Sequence, residues 1–332
     1  MKSLLFTLSC LCLSLTAGAQ TAFERRVVVE ELTGTRCGWC PRGLAGMAKL
    51  RQQFGDRFIG IAVHNYDTND PMNNRPYAAT KLFDGRGAPT CTLDRQYFCD
   101  PLHGASGNIA TDFEYELNQP CYVGVSVSGT YNEDSTVVEA HATITAGLAM
   151  SGLEVLFVLV ADSVASNDAS FMQYNGYAKS SPDAYPNDPE VHPFCSGGAY
   201  GVSPFQWAFD DVCIGNSYST KGANQVDPVG TLSEGQQAER TFRLLMPTKA
   251  VLRRAFDKRK VSVVVIVLDA EGHVANADKQ LIGTNVTGIR PLGTHGSRPD
   301  TPAFTLSGQR ATDGYCGLVI KNGRKQQNNS RR

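Results

Sequence analysis

Cys37 and Cys40 are separated by Gly38 and Trp39 and followed by Pro41. Two thiols at that spacing can form a reversible disulfide, supply half of a metal site, or make a structural cross-link. Zinc needs four ligands, and no second close Cys/His pair accompanies these two; His64 stands alone, as a strand-end histidine would. A structural bridge over so short a loop removes little chain entropy and stabilises little. Redox exchange fits the surroundings better. A cysteine just ahead of a helix meets unpaired backbone N–H groups and the positive end of the helix dipole, and both favour its thiolate. In that chemistry Cys37 attacks a substrate disulfide and Cys40 resolves the mixed disulfide. Arg36 adds a neighbouring cation, Gly38 leaves room for a partner chain, and Trp39 offers it a surface.

The elements that must hold the pair are legible on either side. Residues 27–32 (Val-Val-Val-Glu-Glu-Leu) read as a buried strand, with Thr-Gly-Thr as turn chemistry after it. From Pro41 to Phe54 the apolar residues Leu44, Met47, Leu50 and Phe54 recur at helical spacing, and Pro41 sits where a first-turn proline is tolerated. Residues 58–63 form a second buried strand, so the unit is βαβ with parallel strands. A short helix over 76–83, a strand over 90–93 and a helix over 104–118 follow. Pro89, preceded by Ala88, opens the 90–93 strand after a glycine-rich loop, where a cis proline could present backbone to an extended peptide. Glu31 lies on the first strand, where a buried carboxylate can relay protons to the resolving cysteine; its neighbour Glu30 is the other candidate for the inward position.

Lys2, the apolar run Leu4 to Leu15 and the small residues Ala17-Gly18-Ala19 read as a secretory signal peptide cut after Ala19. Eight of the ten cysteines lie beyond it, an even number that suits disulfides in an oxidising compartment. Proximity pairs Cys91 with Cys99 and Cys195 with Cys213 as structural bridges. A net charge of -1 and a pI near 6.6 leave no footprint for nucleic acid. No metal and no cofactor is implied, because the two sulfurs carry the electrons.

Past Pro120 the texture changes to alternating strands over 122–131 and 135–145 and continuous apolar runs over 153–161 and 261–268. This predicts an all-β, immunoglobulin-like sandwich over 120–288, after an α/β domain over 20–119. An irregular segment of about 165–235 interrupts it, a length that is often functional. Within it Tyr174, Tyr177, Tyr185 and the stretch Trp207 to Cys213 are aromatic enough for a binding surface, or for ordinary packing. A linker over 289–302, a small β module over 303–325 and a disordered tail over 326–332 complete the chain.

Strand, Cys-Gly-Trp-Cys-Pro, helix and a later Ala-Pro-Thr resemble the thioredoxin superfamily over about residues 26–118. Glu30-Glu31-Leu32-Thr33-Gly34-Thr35, Cys37 to Gly43, Ala62-Val63-His64 and Ala88-Pro89 with Asp94-Arg95 are similar to the 28-kDa outer-membrane-protein-related family of Gram-negative envelopes, which joins a thioredoxin-like domain to a β-sandwich. Leu306 to Arg310 with Gly317 to Gly323 resembles type IX-like C-terminal modules. These resemblances imply a dithiol at Cys37 and Cys40, a cis Pro89, and an exported thiol–disulfide oxidoreductase in the periplasm, outer membrane or at the cell surface. Its partners would be thiols or disulfides of exported proteins and an envelope redox partner, with peripheral outer-membrane association. The rival expectation is a non-catalytic surface protein that keeps the fold.

Overall fold

The protein is described by a computed structural model covering residues 21–78, 81–217 and 227–283, with the backbone of 304–305, 317–321 and 324–328. The expected signal peptide and linker lie outside these residues. Residues 1–291 make one compact unit and 292–332 a second.

In the first unit, β1 (Val27–Thr33) is buried along its whole length because strands flank it on both sides and side chains cover both faces. β2 (Phe58–His64) pairs with it in parallel, from Val27 opposite Phe58 to Thr33 opposite His64. β3 (Thr90–Leu93) pairs antiparallel on the other edge, setting Glu31 opposite Cys91. β4 (Tyr97–Cys99), a strand with no sequence signature, closes that side. α1 (Pro41–Phe54) connects β1 to β2, α2 (Arg75–Ala78) follows β2, and α3 (Ile109–Leu117) follows β4. Asn108 caps α3 by accepting from the Ala110 N–H at 3.1 Å, so this helix starts later than the 104–118 pattern implied. α2 is likewise shorter than 76–83, and residues 82–85 form a turn.

Alternation along β1 divides two cores. Val27 and Val29 meet Met47 and Leu50 of α1 and Ile109 and Phe113 of α3, whereas Val28 packs on the opposite face with Ile59 and Ile61 of β2. The β-rich part is built on the same sheet. β5 (Val123–Tyr131), β6 (Val137–Ala146) and β10 (Gln237–Leu245) form a separate three-stranded sheet. β7 (Met150–Ala161), β8 (Val212–Asn216), β9 (Asp227–Leu232), β11 (Val261–Leu268) and β12 (Val274–Leu281) instead join β1 to β4 in a nine-stranded sheet of order β12-β11-β7-β8-β2-β1-β3-β4, with β9 on β7. The continuous apolar runs follow from this. Val155, Phe157 and Leu159 of β7 and Val263, Val265 and Val267 of β11 face the small sheet, while Leu156, Val158, Val264 and Ile266 face away from it into the second core.

The structure therefore corrects the expectation of a separate immunoglobulin-like sandwich over 120–288. The fold is mixed α/β with one large sheet and few helices, consistent with a thioredoxin-like part plus a β-rich part, and no break falls at 119. The junction is β8, which the irregular segment supplies. Val212 pairs with Ala62 of β2, and the Ala62 N–H donates to the Asp211 carbonyl at 2.8 Å.

The second unit has a three-stranded antiparallel sheet, β13 (Phe304–Thr305), β14 (Gly317–Lys321) and β15 (Arg324–Asn328). Residues 326–328, expected in a disordered tail, complete β15 after the Asn322-Gly323 step.

Candidate functional site

Cys40 is the N-cap of α1 and Pro41 its first residue, and Cys37 lies in the turn just before. The two cysteines form a disulfide with Cα atoms 5.3 Å apart. The Cys37 N–H donates to the Gly34 carbonyl at 3.1 Å and the Cys40 N–H to the Cys37 carbonyl at 3.2 Å, which fixes the loop that carries them. Both are buried, Cys37 keeping 2% of its surface exposed, while Trp39 is 55% exposed at the rim. Cys37 Sγ lies 3.5 Å from the carbonyl oxygen of Ala88, and the Ala88–Pro89 peptide is cis. The exposed Arg36 pairs with Asp67 at 3.3 Å.

Glu31 is the inward member of the acidic pair. Its carboxyl is buried against α1, so close to Gly43 that a Cβ there would sit 1.8 Å from Oε1, and 3.4 Å from the Pro89 Cβ. Burial pushes this carboxyl up to about 8; a hydrogen bond with Thr33 opposes the rise, and the negative charges of Asp211 and Asp100 add to it. Glu30 turns the other way, bound by Arg95 at 2.7 and 2.8 Å and by the Tyr77 hydroxyl. Glu31 also lines a cavity of about 50 Å³ with His64, Leu44, Arg51 and Trp207. Glu31 Oε1 and His64 Nε2 are both buried without a hydrogen-bond partner. His64 Nδ1 lies 3.0 Å from Asp70 Oδ2, and Asp70 also accepts from the Thr35 and Met72 N–H groups. Burial works to raise the Asp70 carboxyl, but His64 and these donors outweigh it and hold it low.

No pattern in the sequence signals what braces the loop. Gln173, buried in the irregular segment, donates through Nε2 to the Cys37 carbonyl at 2.9 Å and the Gly34 carbonyl at 3.3 Å. The Tyr174 N–H donates to Thr35 O at 2.7 Å and the Gly176 N–H to Gly38 O at 2.6 Å. The segment from Gln173 to Tyr177 thus lies along the cysteine loop, with Trp39 edge-on to Tyr177 at 5.2 Å. Arg42 ties the layers together, binding Asp100 at 2.7 Å and Asp188 at 3.4 Å. Only the aromatic richness of this segment was readable. Tyr177 is buried in a small core with Val191, Phe194 and Phe205, and Tyr174 stays half exposed.

Neither of the other two expected bridges is formed, and the two pairs differ in geometry. Cys91 and Cys99 face each other, Sγ to Sγ 3.6 Å, as unbonded thiols. Cys195 and Cys213 lie in different clusters, and each thiol faces a backbone carbonyl, of Val191 and of Gly215. Their pairing is corrected: 18 positions of sequence proximity do not survive a fold in which Cys213 enters the large sheet and Cys195 the segment beside α1. Among the described residues, no group of three or more His, Cys, Asp or Glu side chains is placed to hold a metal ion.

No family model and no curated protein matches the chain. Among solved structures it is similar to HBP35 of Porphyromonas gingivalis, at 16% identity and a TM-score of 0.53, over 92% of this chain and 98% of that one. The likeness is one of fold. A protein of Agrobacterium tumefaciens overlaps more loosely, at 17% identity and a TM-score of 0.38, over 80% of this chain and 97% of that one.

Proposed function

We propose that the protein is an exported thiol–disulfide oxidoreductase that works through Cys37 and Cys40 on exported proteins of a Gram-negative envelope. The observation that carries this reading is the placement of the pair at the start of α1, with Cys37 Sγ against the Ala88 carbonyl beside Pro89 and the Glu31 carboxyl buried beneath. Reduced, Cys37 is the nucleophile, because the helix start stabilises its thiolate. It attacks a sulfur of the substrate disulfide, one substrate thiolate leaves, and Cys40 then displaces the second substrate thiol to regenerate the Cys37–Cys40 bond. Glu31, protonated near neutral pH, takes the role of proton carrier for Cys40. Ala88, Pro89, Arg36, Gly38 and Trp39 form the rim that receives the partner.

A second reading draws on the Gln173–Tyr177 segment along the loop and on the burial of Cys37. Under it the chain is a surface binding protein that keeps the fold without turnover. Catalysed reduction of a protein disulfide by dithiothreitol separates the two. The oxidoreductase reading expects the parent protein to exceed the uncatalysed rate and Cys37→Ser to match it. Background rates in both would overturn that reading.

A further inference from the structure

β3 and β4 place Cys91 directly opposite Cys99, and their sulfurs are 3.6 Å apart. Directly opposed residues of an antiparallel pair point to the same face. Cys91 is also opposite Glu31 across β1, so it shares the face on which Glu31 meets α1. Pro89, two residues before Cys91 and just ahead of β3, is part of the same surroundings, since Gly43 lies against both it and Glu31. The two thiols differ in access: Cys91 is fully buried, whereas Cys99 is half-buried on β4, the end strand of the large sheet. Among the described residues the remaining free thiols, Cys121, Cys195 and Cys213, approach backbone carbonyls and no second sulfur. The hairpin that joins the pair is itself anchored. Asp94 and Arg95 turn it with φ of 47° and 58°, and Asp94 accepts from Arg25 at 2.6 Å and from the Val28 N–H at 2.8 Å.

We propose that Cys91 and Cys99 are a second redox-active pair, which closes to a disulfide by exchange with an external disulfide and thereby locks the hairpin leading from Pro89. The entry thiol is Cys99, because it is the one a partner can reach. Its thiolate attacks one sulfur of a disulfide RSSR; the S–S bond breaks, one thiol leaves with the proton that Cys99 gave up, and a mixed disulfide remains on Cys99. Cys91 then loses its proton and attacks Cys99 Sγ, expelling the second thiol. One RSSR is reduced to two RSH, and two cysteine thiols are oxidised to one disulfide. The hydrogen bond with Cys99 and then burial push the Cys91 thiol well up, which suits a group that reacts second, within the protein, rather than first. This inference is independent of whether Cys37 and Cys40 turn over.

The test uses the full chain with Cys37→Ser and Cys40→Ser, equilibrated across ratios of reduced to oxidised glutathione, then alkylated and mapped by peptide mass spectrometry. A Cys91–Cys99 linked peptide is expected, rising with the oxidised fraction and lost again in excess reduced glutathione. Adding Cys91→Ser is expected to leave glutathione attached to Cys99, whereas adding Cys99→Ser should leave Cys91 unmodified in the folded protein. Two free thiols throughout the series would overturn the proposal. So would a link that excess glutathione cannot open, which is a permanent staple, or attack at Cys91 first. Circular dichroism checks that the variants fold, and the same mapping on the parent protein gives the answer should they not.

Discussion

Glu31 keeps a carboxyl in the interior with one oxygen unpartnered, and its titration should be visible in the stability of the whole protein. Between an ordinary value of 4.5 and about 8, the folded state retains a proton that the unfolded state releases. Stability from this residue therefore falls as pH rises through that window and is flat above it. Glu31→Gln should remove the slope and leave the variant more stable than the parent at pH 8. The gain is up to a few kcal/mol, since a tenfold change in proton affinity is worth about 1.4 kcal/mol. Urea unfolding at pH 5 and pH 8 measures this; parallel losses in both proteins would contradict it. At this scale the sequence was informative where chemistry is local. Cys37, Cys40 and the proline of Ala88-Pro89 stand out by spacing and neighbours alone. The choice between Glu30 and Glu31 was open, since a strand buried on both faces has no polar side to break the tie; register against β3 and the space left by Gly43 decide it. Gln173 was out of reach, being 136 positions from the carbonyl it binds.

α1 is held by close approach as well as by its apolar stripe. A Cβ at Gly46 would lie 1.8 Å from the backbone carbonyl oxygen of Pro101, which cannot move aside as a side chain could. Glycine to alanine in a helix ordinarily gains about 1 kcal/mol, but here Gly46→Ala should destabilise by about 2 kcal/mol, read as a lower urea midpoint. A stabilised variant would show that α1 does not seat on the 100–102 loop. The segment beside the cysteine loop makes a matching case. Gln173→Ala removes the donor shared by the Gly34, Cys37 and Tyr174 carbonyls, and a cost of about 2 kcal/mol is expected, with faster reduction of Cys37–Cys40 by dithiothreitol. An unchanged reduction rate would mean that this segment does not restrain the loop. Long elements such as α1, β1 and β11 were readable because burial imposes a helical apolar stripe on the first and a largely unbroken β-branched run on the other two, over seven residues or more. β4 was not, since three half-buried residues leave no alternation to detect.

Over the whole of the first unit, the large sheet runs unbroken from β12 to β4, and charge reinforces the seam. Asp211 beside β8 is buried and bound by Lys279 of β12 at 2.7 Å and by Arg51 of α1. Burial would raise its carboxyl, but those two cations outweigh it and hold it low. Asp211→Asn leaves both cations without their shared partner, and a loss of about 3 kcal/mol is expected from urea unfolding, moderated by the partial exposure of Arg51. With one sheet shared by both parts, far-UV circular dichroism and tryptophan fluorescence, from Trp39 at the loop and Trp207 beside α1, should report one coincident transition. Two separated transitions would restore the independent domains that the sequence implied. That implication failed for a physical reason. The break in texture near Pro120 is real, but composition carries no trace of a pairing such as Ala62 with Val212, made across 150 positions by a strand from an irregular segment.

If Cys37 attacks disulfides and Cys40 resolves the product, the two steps can be parted by one substitution. Cys40→Ser leaves the attack and removes the release, so a peptide carrying an activated disulfide should remain covalently bound, with mass spectrometry of the digested adduct placing the link at Cys37. No stable adduct, or one at another cysteine with Cys37 free, would contradict the oxidoreductase reading.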